Sequence, residues 1–437
     1  MKKYELKPTD DNIKATLKED LLDRNRLLNN FAKMINNIDD NVVISVDGKW
    51  GSGKTFFIKQ LLYIIKNHND INKGNILFGG IKDYIEINEK YLCMYYNSWE
   101  NDYHNDPIES MMHHILNSFP QQKEISPEIK ENINKYLHII FKNLINIMSN
   151  GVMNEKVFES YKTYDYFIKD ISSIEEKKKA FQSLINDILS INDKKRLLIV
   201  VDEIDRCNPS YAVRLLEVIK HYFSSENITI VLSTNTQELS KTIKKHYGND
   251  FDGYGYLDKF IDFIVNLEVM DLRKYLDKRM NFKTDRNCMC AFSFLAMKYY
   301  DFSLRDCNRF FIFYNILNNI YDFEEKGFNY VDSTIIYFVV PFALASKIKN
   351  IDNYNMLIND NGAELLLDFI NKEFKTDKVM EDWLKEMIGE NYKLNNSGKT
   401  YEELVVERYH NIFNDKNRSI KFPFLESMTM LMNDFKF

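Results

Sequence analysis

The stretch Gly48-Lys49-Trp50-Gly51-Ser52-Gly53-Lys54-Thr55 has the residue types and spacing of a loop that can wrap a phosphate, matching GxxxxGK[ST] at every fixed position. Its glycines let successive backbone N–H groups turn inward onto anionic oxygens, helped by the positive end of the helix that follows. Lys54 would reach the β- and γ-phosphates, and the Thr55 hydroxyl would ligate magnesium. A second group of chemical interest is Asp202-Glu203, which ends the apolar run Leu197–Val201. Asp202 would hold the metal, directly or through water, and Glu203 would orient or deprotonate an attacking water. Asn235, after a further apolar run, could bond the γ-phosphate or that water, or simply cap the next helix. A glycine turn and a solvated strand end are the plain alternatives for the first two groups; the pairing of both favours ATP and Mg2+ as cofactors.

Chemistry at these positions requires elements that bring them together. Apolar residues recur every three or four positions from Asp10 to Ile38, marking a helical lead-in. Val42–Val46 is a β-branched run, and Thr55–Ile65 is apolar-periodic, giving strand, loop and helix in the order a phosphate loop needs. Further strand-like runs are Tyr91–Asn97, Leu197–Val201 and Ile228–Ser233, with Phe263–Val269 as a weaker one. Their alternation with helical patterns predicts a parallel sheet covered on both faces. The segment from Trp99 to Arg196 reads as a helical insertion, occupying about residues 104–190. Strand signals fade after Asp271, amphipathic helices run to about Asn371, and the remainder to Phe437 is mixed. The expected division is a lead-in over 1–40, a core over 41–270, and a helical lid and C-terminal domain over 271–437.

Over 437 residues, acids outnumber bases 64 to 58 for a net charge of -6, so the whole molecule has no electrostatic drive toward nucleic acid or anionic lipid. Lysine clusters at Lys177-Lys178-Lys179 and Lys194-Lys195-Arg196 sit among acids and read as solvated element ends, leaving nucleic acid as a partner the charge does not indicate. Five scattered cysteines, Cys93, Cys207, Cys288, Cys290 and Cys307, form neither a disulfide framework nor a paired metal motif. Buried thiols in a reducing cytoplasm are expected. Met1–Asp20 lacks the apolar core of a signal peptide. Thr334–Ala345 contains Pro341 and is too short to span a bilayer, and Leu137–Met148 is interrupted at helical spacing by His138, Lys142 and Asn146.

With both halves of the site in view, the chain resembles the KAP family of P-loop NTPases, related to STAND and AAA-type ATPases. The resemblance rests on Asp47 with the Trp50-Gly51-Ser52-Gly53-Lys54 loop, on Tyr96-Asn97-Ser98-Trp99, and on Val201-Asp202-Glu203-Ile204-Asp205-Arg206-Cys207 followed by Leu216–Lys220. Tyr256–Phe260, Ser303–Asp306 and Arg309-Phe310 also look familial. It covers about residues 16–320. The resemblance implies an α/β fold: a P-loop core with a parallel five-stranded sheet in the order 5-1-4-3-2, flanked by helices, with a helical insertion and a C-terminal helical domain. It gives Asp205 and Arg206 a sensor or switch role, either as an ion-paired staple of the turn or as an arginine reaching nucleotide across a subunit interface, with the staple preferred. Arg305 and Arg309, one helical turn apart, would report hydrolysis or simply form surface salt bridges. Two departures are Asn235, where the family often has Asp, and an insertion with no segment long enough to span a membrane.

The expected function is a regulatory ATPase acting through self-association or a protein effector, in a setting such as bacterial defence against phage or mobile elements. A nucleic-acid-dependent motor or loader is the alternative; Glu203 argues against a small-molecule kinase, which must exclude water. ATP over GTP is an inference, with adenine contacts expected around Leu22–Arg24.

Overall fold

The structure is a computed structural model that describes residues 6–72, 90–104, 106–118, 131–132, 135, 174–267, 272–279, 288–321, 338–373 and 400–414. The chain divides into two compact units, Lys7–Glu268 and a second over Val269–Phe437 with the first six residues. Most of the expected insertion, including Leu137–Met148, and most of the mixed stretch beyond Asn371 lie outside the described residues.

In the first unit the lead-in is two helices, α1 (Asp10–Glu19) and α2 (Asn25–Asn37). The break comes from Asp20 and Asp23, both in the left-handed region at φ 45° and 55°. The Asp20 carboxylate accepts the Arg24 and Asn25 N–H groups at 2.9 and 3.1 Å, restarting the helix. Then follow β1 (Val42–Asp47), α3 (Lys54–Lys66), a short α4 (His68–Asn72), β2 (Tyr91–Asn97), α5 (Pro107–Ser118) and α6 (Ile174–Ile191). After them come β3 (Arg196–Asp202), α7 (Pro209–Tyr222), β4 (Ile228–Thr234), α8 (Thr236–Tyr247), α9 (Gly253–Leu257) and β5 (Phe263–Asn266).

The five strands are all parallel, in the order β2-β3-β4-β1-β5, which is the expected order read from the other edge. β5 is shorter than the apolar run that suggested it. Side-chain alternation splits the packing in two. Ile44, Val46, Leu198, Val200 and Val231 pack with the lead-in and Phe57, Ile58 and Leu61 of α3. Met94, Tyr96, Leu197, Ile199, Val201, Ile230 and Leu232 pack on the opposite face with α5, α6, α7 and α8. Every residue of β3 and β4 is buried, as central strands covered on both faces must be. Because β4 lies between β1 and β3, the carboxyl ends of those two strands flank one crevice, the position where open α/β sheets bind ligands.

The described elements of the second unit are helices: α10 (Leu272–Arg279), α11 (Cys288–Tyr299), α12 (Leu304–Tyr321), α13 (Val340–Lys349), α14 (Ile351–Ile358), α15 (Ala363–Glu373) and α16 (Tyr401–Asn414). Their core is aromatic, with Phe342 stacked on Phe369 at 4.2 Å. Pro341 sits in the first turn of α13, where its missing N–H costs nothing, and Val340–Lys347 is buried. At the start of α12 the Asp306 carboxylate accepts from the Ser303 N–H at 3.0 Å and hydroxyl at 2.8 Å, and it pairs with Lys349 at 2.6 Å. Among the described residues no helix is long and apolar enough to cross a membrane. Cys93, Cys207 and Cys307 are free thiols.

Phe57 is 1% exposed and stacks on Phe31, fastening the lead-in to α3. Phe57→Ala should lower the free energy of unfolding by about 3–5 kcal/mol in a denaturant titration. Burial raises the Asp306 carboxyl, but Lys349 and Ser303 outweigh it and hold the group below its ordinary value. Its contribution is therefore complete above the unfolded value near pH 4 and is lost as pH falls through the lower folded value. Asp306→Asn should accordingly flatten the acid limb of stability against pH relative to wild type.

Candidate nucleotide site

The glycine loop leaves β1 at Asp47 and enters α3 at Lys54. Gly51 and Gly53 adopt φ of 82° and 91°, a region that side chains disfavour. The Gly48 N–H donates to the Thr234 carbonyl at 3.3 Å, and Asp47 Oδ1 accepts from the Thr236 N–H at 2.7 Å, so the loop base is tied to the end of β4. Lys54 Nζ donates to the Gly48 and Lys49 carbonyls at 2.5 and 3.3 Å. Burial lowers its pKa, while Asp205, Asp202 and Asp47 act in the opposite direction.

From outside the loop, Arg24 Nη1 donates to the Ser52 carbonyl at 2.8 Å. Burial lowers the Arg24 guanidinium to about 10, which leaves it cationic at neutral pH. Of the Leu22–Arg24 stretch offered for adenine contacts, Arg24 is thus engaged with the loop backbone.

At the end of β3, Asp202 is 1% exposed. Its Oδ2 accepts from the Tyr95 hydroxyl at 2.9 Å and its Oδ1 from the Glu203 N–H at 3.0 Å. Glu203 sits in the left-handed region at φ 64°, a conformation that costs about 1 kcal/mol outside glycine. It opens a one-turn 3-10 helix, Ile204–Arg206, and Arg206 Nη1 folds back to Glu203 Oε1 at 2.7 Å. Burial raises the Glu203 carboxyl, with Arg206 opposing and Asp202 reinforcing the shift. The Arg206 guanidinium also lies 5.4 Å from the exposed Trp99 ring. Asp205 takes a different partner: its Oδ2 accepts from Trp50 Nε1 at 2.5 Å, which links the turn to the glycine loop.

Asn235 Oδ1 accepts the Glu238 N–H at 3.3 Å and caps α8. Arg305 and Arg309 are exposed on α12, in the other unit from the loop. Thr55 is the second residue of α3. Its hydroxyl and the Asp202 carboxylate are the hard oxygen donors magnesium takes. Ser52 Oγ, Ser233 Oγ and Thr234 Oγ1 are buried hydroxyls without a hydrogen-bond partner among the described residues, and Ser233 lies opposite Asp202 in register. This donor set fits a magnesium–polyphosphate group.

Sequence reasoning missed Tyr95 and Lys59. Lys59 Nζ lies 2.9 Å from the centroid of the Tyr95 ring. Burial lowers Lys59 to about 8, with Asp202 opposing. The available signal was periodicity alone: Tyr95 is two positions before the strand end, on the face that carries Asp202.

The KAP family P-loop domain matches residues 24–312 of the chain. No curated protein matches it. Among solved structures, that of the Aeropyrum pernix ORC2 protein (ADPNP-ADP complexes) covers 92% of this chain and 94% of its own at 13% identity. Its TM-score of 0.30 makes that likeness too slight to inform the site.

Arg24→Met keeps an apolar stem in place of the guanidinium and removes its bond to the loop. It should cost about 2 kcal/mol of stability, read from urea unfolding, because a buried carbonyl loses a charged donor.

Proposed function

Because the chain belongs to the KAP family of P-loop domains, we propose that it binds ATP with magnesium at Gly48–Thr55 and hydrolyses it as a regulatory ATPase. The observation that carries this reading is the placement of Lys54 Nζ on the Gly48 carbonyl of the glycine loop, with Asp205, Asp202, Asp47 and Arg206 as its charged neighbours. A lysine ammonium, a glycine loop with left-handed backbone at Gly51 and Gly53, and a buried carboxylate at the end of β3 suit a metal-bound polyphosphate.

In this reading the loop amides and Lys54 hold the β- and γ-phosphates, and Lys54 exchanges the Gly48 carbonyl for phosphate oxygen. Thr55 and Asp202 would hold the magnesium, which would supply positive charge beside the phosphoryl group. Glu203 accepts a proton from the attacking water, and burial moves its carboxyl in the direction that makes it a better base. Arg206 restrains the Glu203 carboxylate through a 2.7 Å contact with Oε1. Asn235 is assigned as the sensor of the γ-phosphate through the part of its amide not used in capping. On this reading the chain is a cytoplasmic switch that controls self-association or a separate effector, and defence against phage and mobile elements is a setting taken by analogy.

Steady-state ATP and GTP hydrolysis, with and without DNA, tests this on wild type, Lys54→Ala and Glu203→Gln. Wild type should turn over ATP without DNA stimulation, and both variants should lose at least about a hundredfold. Nucleotide binding should survive only in Glu203→Gln. Turnover that Glu203→Gln leaves intact would overturn the assignment, and DNA-stimulated, salt-sensitive turnover would replace the switch with a motor.

A further inference from the structure

Resting on the proposed role of Asp202, we infer that Tyr95 is the positioning residue of the metal-binding carboxylate. β2 and β3 pair with Tyr95 opposite Val200 and Asn97 opposite Asp202. Tyr95 and Asp202 are therefore diagonal neighbours, and Tyr95 packs against the α3-side cluster that contains Leu198 and Val200. A diagonal on one sheet face spans about 7–8 Å between backbones, within the reach of a phenol. The Tyr95 hydroxyl closes that gap at 2.9 Å from Asp202 Oδ2.

A carboxylate on a strand end can rotate about its last torsion, and each orientation presents different lone pairs. Here both oxygens have a fixed donor, the phenol on Oδ2 and the Glu203 N–H at 3.0 Å on Oδ1. Those two bonds set the carboxylate plane and leave its remaining lone pairs for a cation. The donor is itself held: Lys59, one helical turn beyond Thr55, places its ammonium 2.9 Å from the centre of the Tyr95 ring. Thr55 and Lys59 share a face of α3 by their spacing, so one helix supplies a metal-ligand candidate and the clamp on the ring that orients the other. Residues that orient a metal ligand in this way are worth about 10–100-fold in metal affinity.

Tyr95→Phe removes only the hydroxyl and keeps the ring beneath Lys59. The test is equilibrium binding of a fluorescent ATP analogue to the full chain, titrated with Mg2+ from a metal-free start, for wild type, Tyr95→Phe, Asp202→Asn and the double variant. Wild type should bind more tightly as Mg2+ is added. Tyr95→Phe should need about tenfold more Mg2+ for the same gain, with unchanged metal-free affinity and no further effect in the Asp202→Asn background. A wild-type Mg2+ response that Tyr95→Phe reproduces would overturn the inference while leaving the site intact. Loss of metal-free binding in Tyr95→Phe would also overturn it, since the hydroxyl would then be supporting the loop. No Mg2+ response in wild type would overturn the reading of Asp202 itself.

Discussion

Asp202 places a carboxylate, 1% exposed, at the end of a strand whose other residues are all buried. A charge taken that far from water persists only where donors and opposite charges replace its hydration. Tyr95 and the Glu203 N–H supply the donors, while Lys54 and Lys59 supply cationic surroundings. Those four residues come from β2, the turn after β3, the glycine loop and α3. The parallel order β2-β3-β4-β1 is what delivers all of them to the carboxyl end of the sheet.

The glycine loop meets a related constraint from the other side. Amides that must point at an anion cannot all satisfy one another, so the loop depends on anchors outside itself. Arg24 holds the Ser52 carbonyl from the lead-in, Trp50 binds Asp205 of the 3-10 turn, and Gly48 bonds to the end of β4. The lead-in helices thus belong to the site mechanically: Phe31 on Phe57 seats them against the helix that begins the loop's exit. The Glu203–Arg206 pair sits beside this frame, strained at the Glu203 backbone and open to solvent at Trp99.

The run from Val42 to Ile65 is legible in sequence because its signals are local: a β-branched strand, glycines where left-handed backbone is needed, then a helix. The sheet order followed from family resemblance rather than from periodicity, which gives strands but not their neighbours. The side-chain partners were much less legible. Arg206 follows Asp205 in the chain, yet the left-handed turn at Glu203 sends it back to Glu203 and frees Asp205 for a tryptophan 155 residues away. Asp20 and Asp23 break a lead-in whose apolar period runs through both. Tyr95 looks like any half-buried strand aromatic until β3 is laid beside it in register.

The central claim is that one crevice, between the glycine loop and the end of β3, takes a magnesium-bound triphosphate. A crystal structure of the full chain with a non-hydrolysable ATP analogue and Mg2+ tests it most directly. The account predicts phosphates ringed by the Gly48–Thr55 amides, Lys54 Nζ moved from the Gly48 carbonyl to phosphate oxygen, and the metal between Thr55 and Asp202. Nucleotide bound elsewhere, or bound here with the metal away from Asp202, would contradict it.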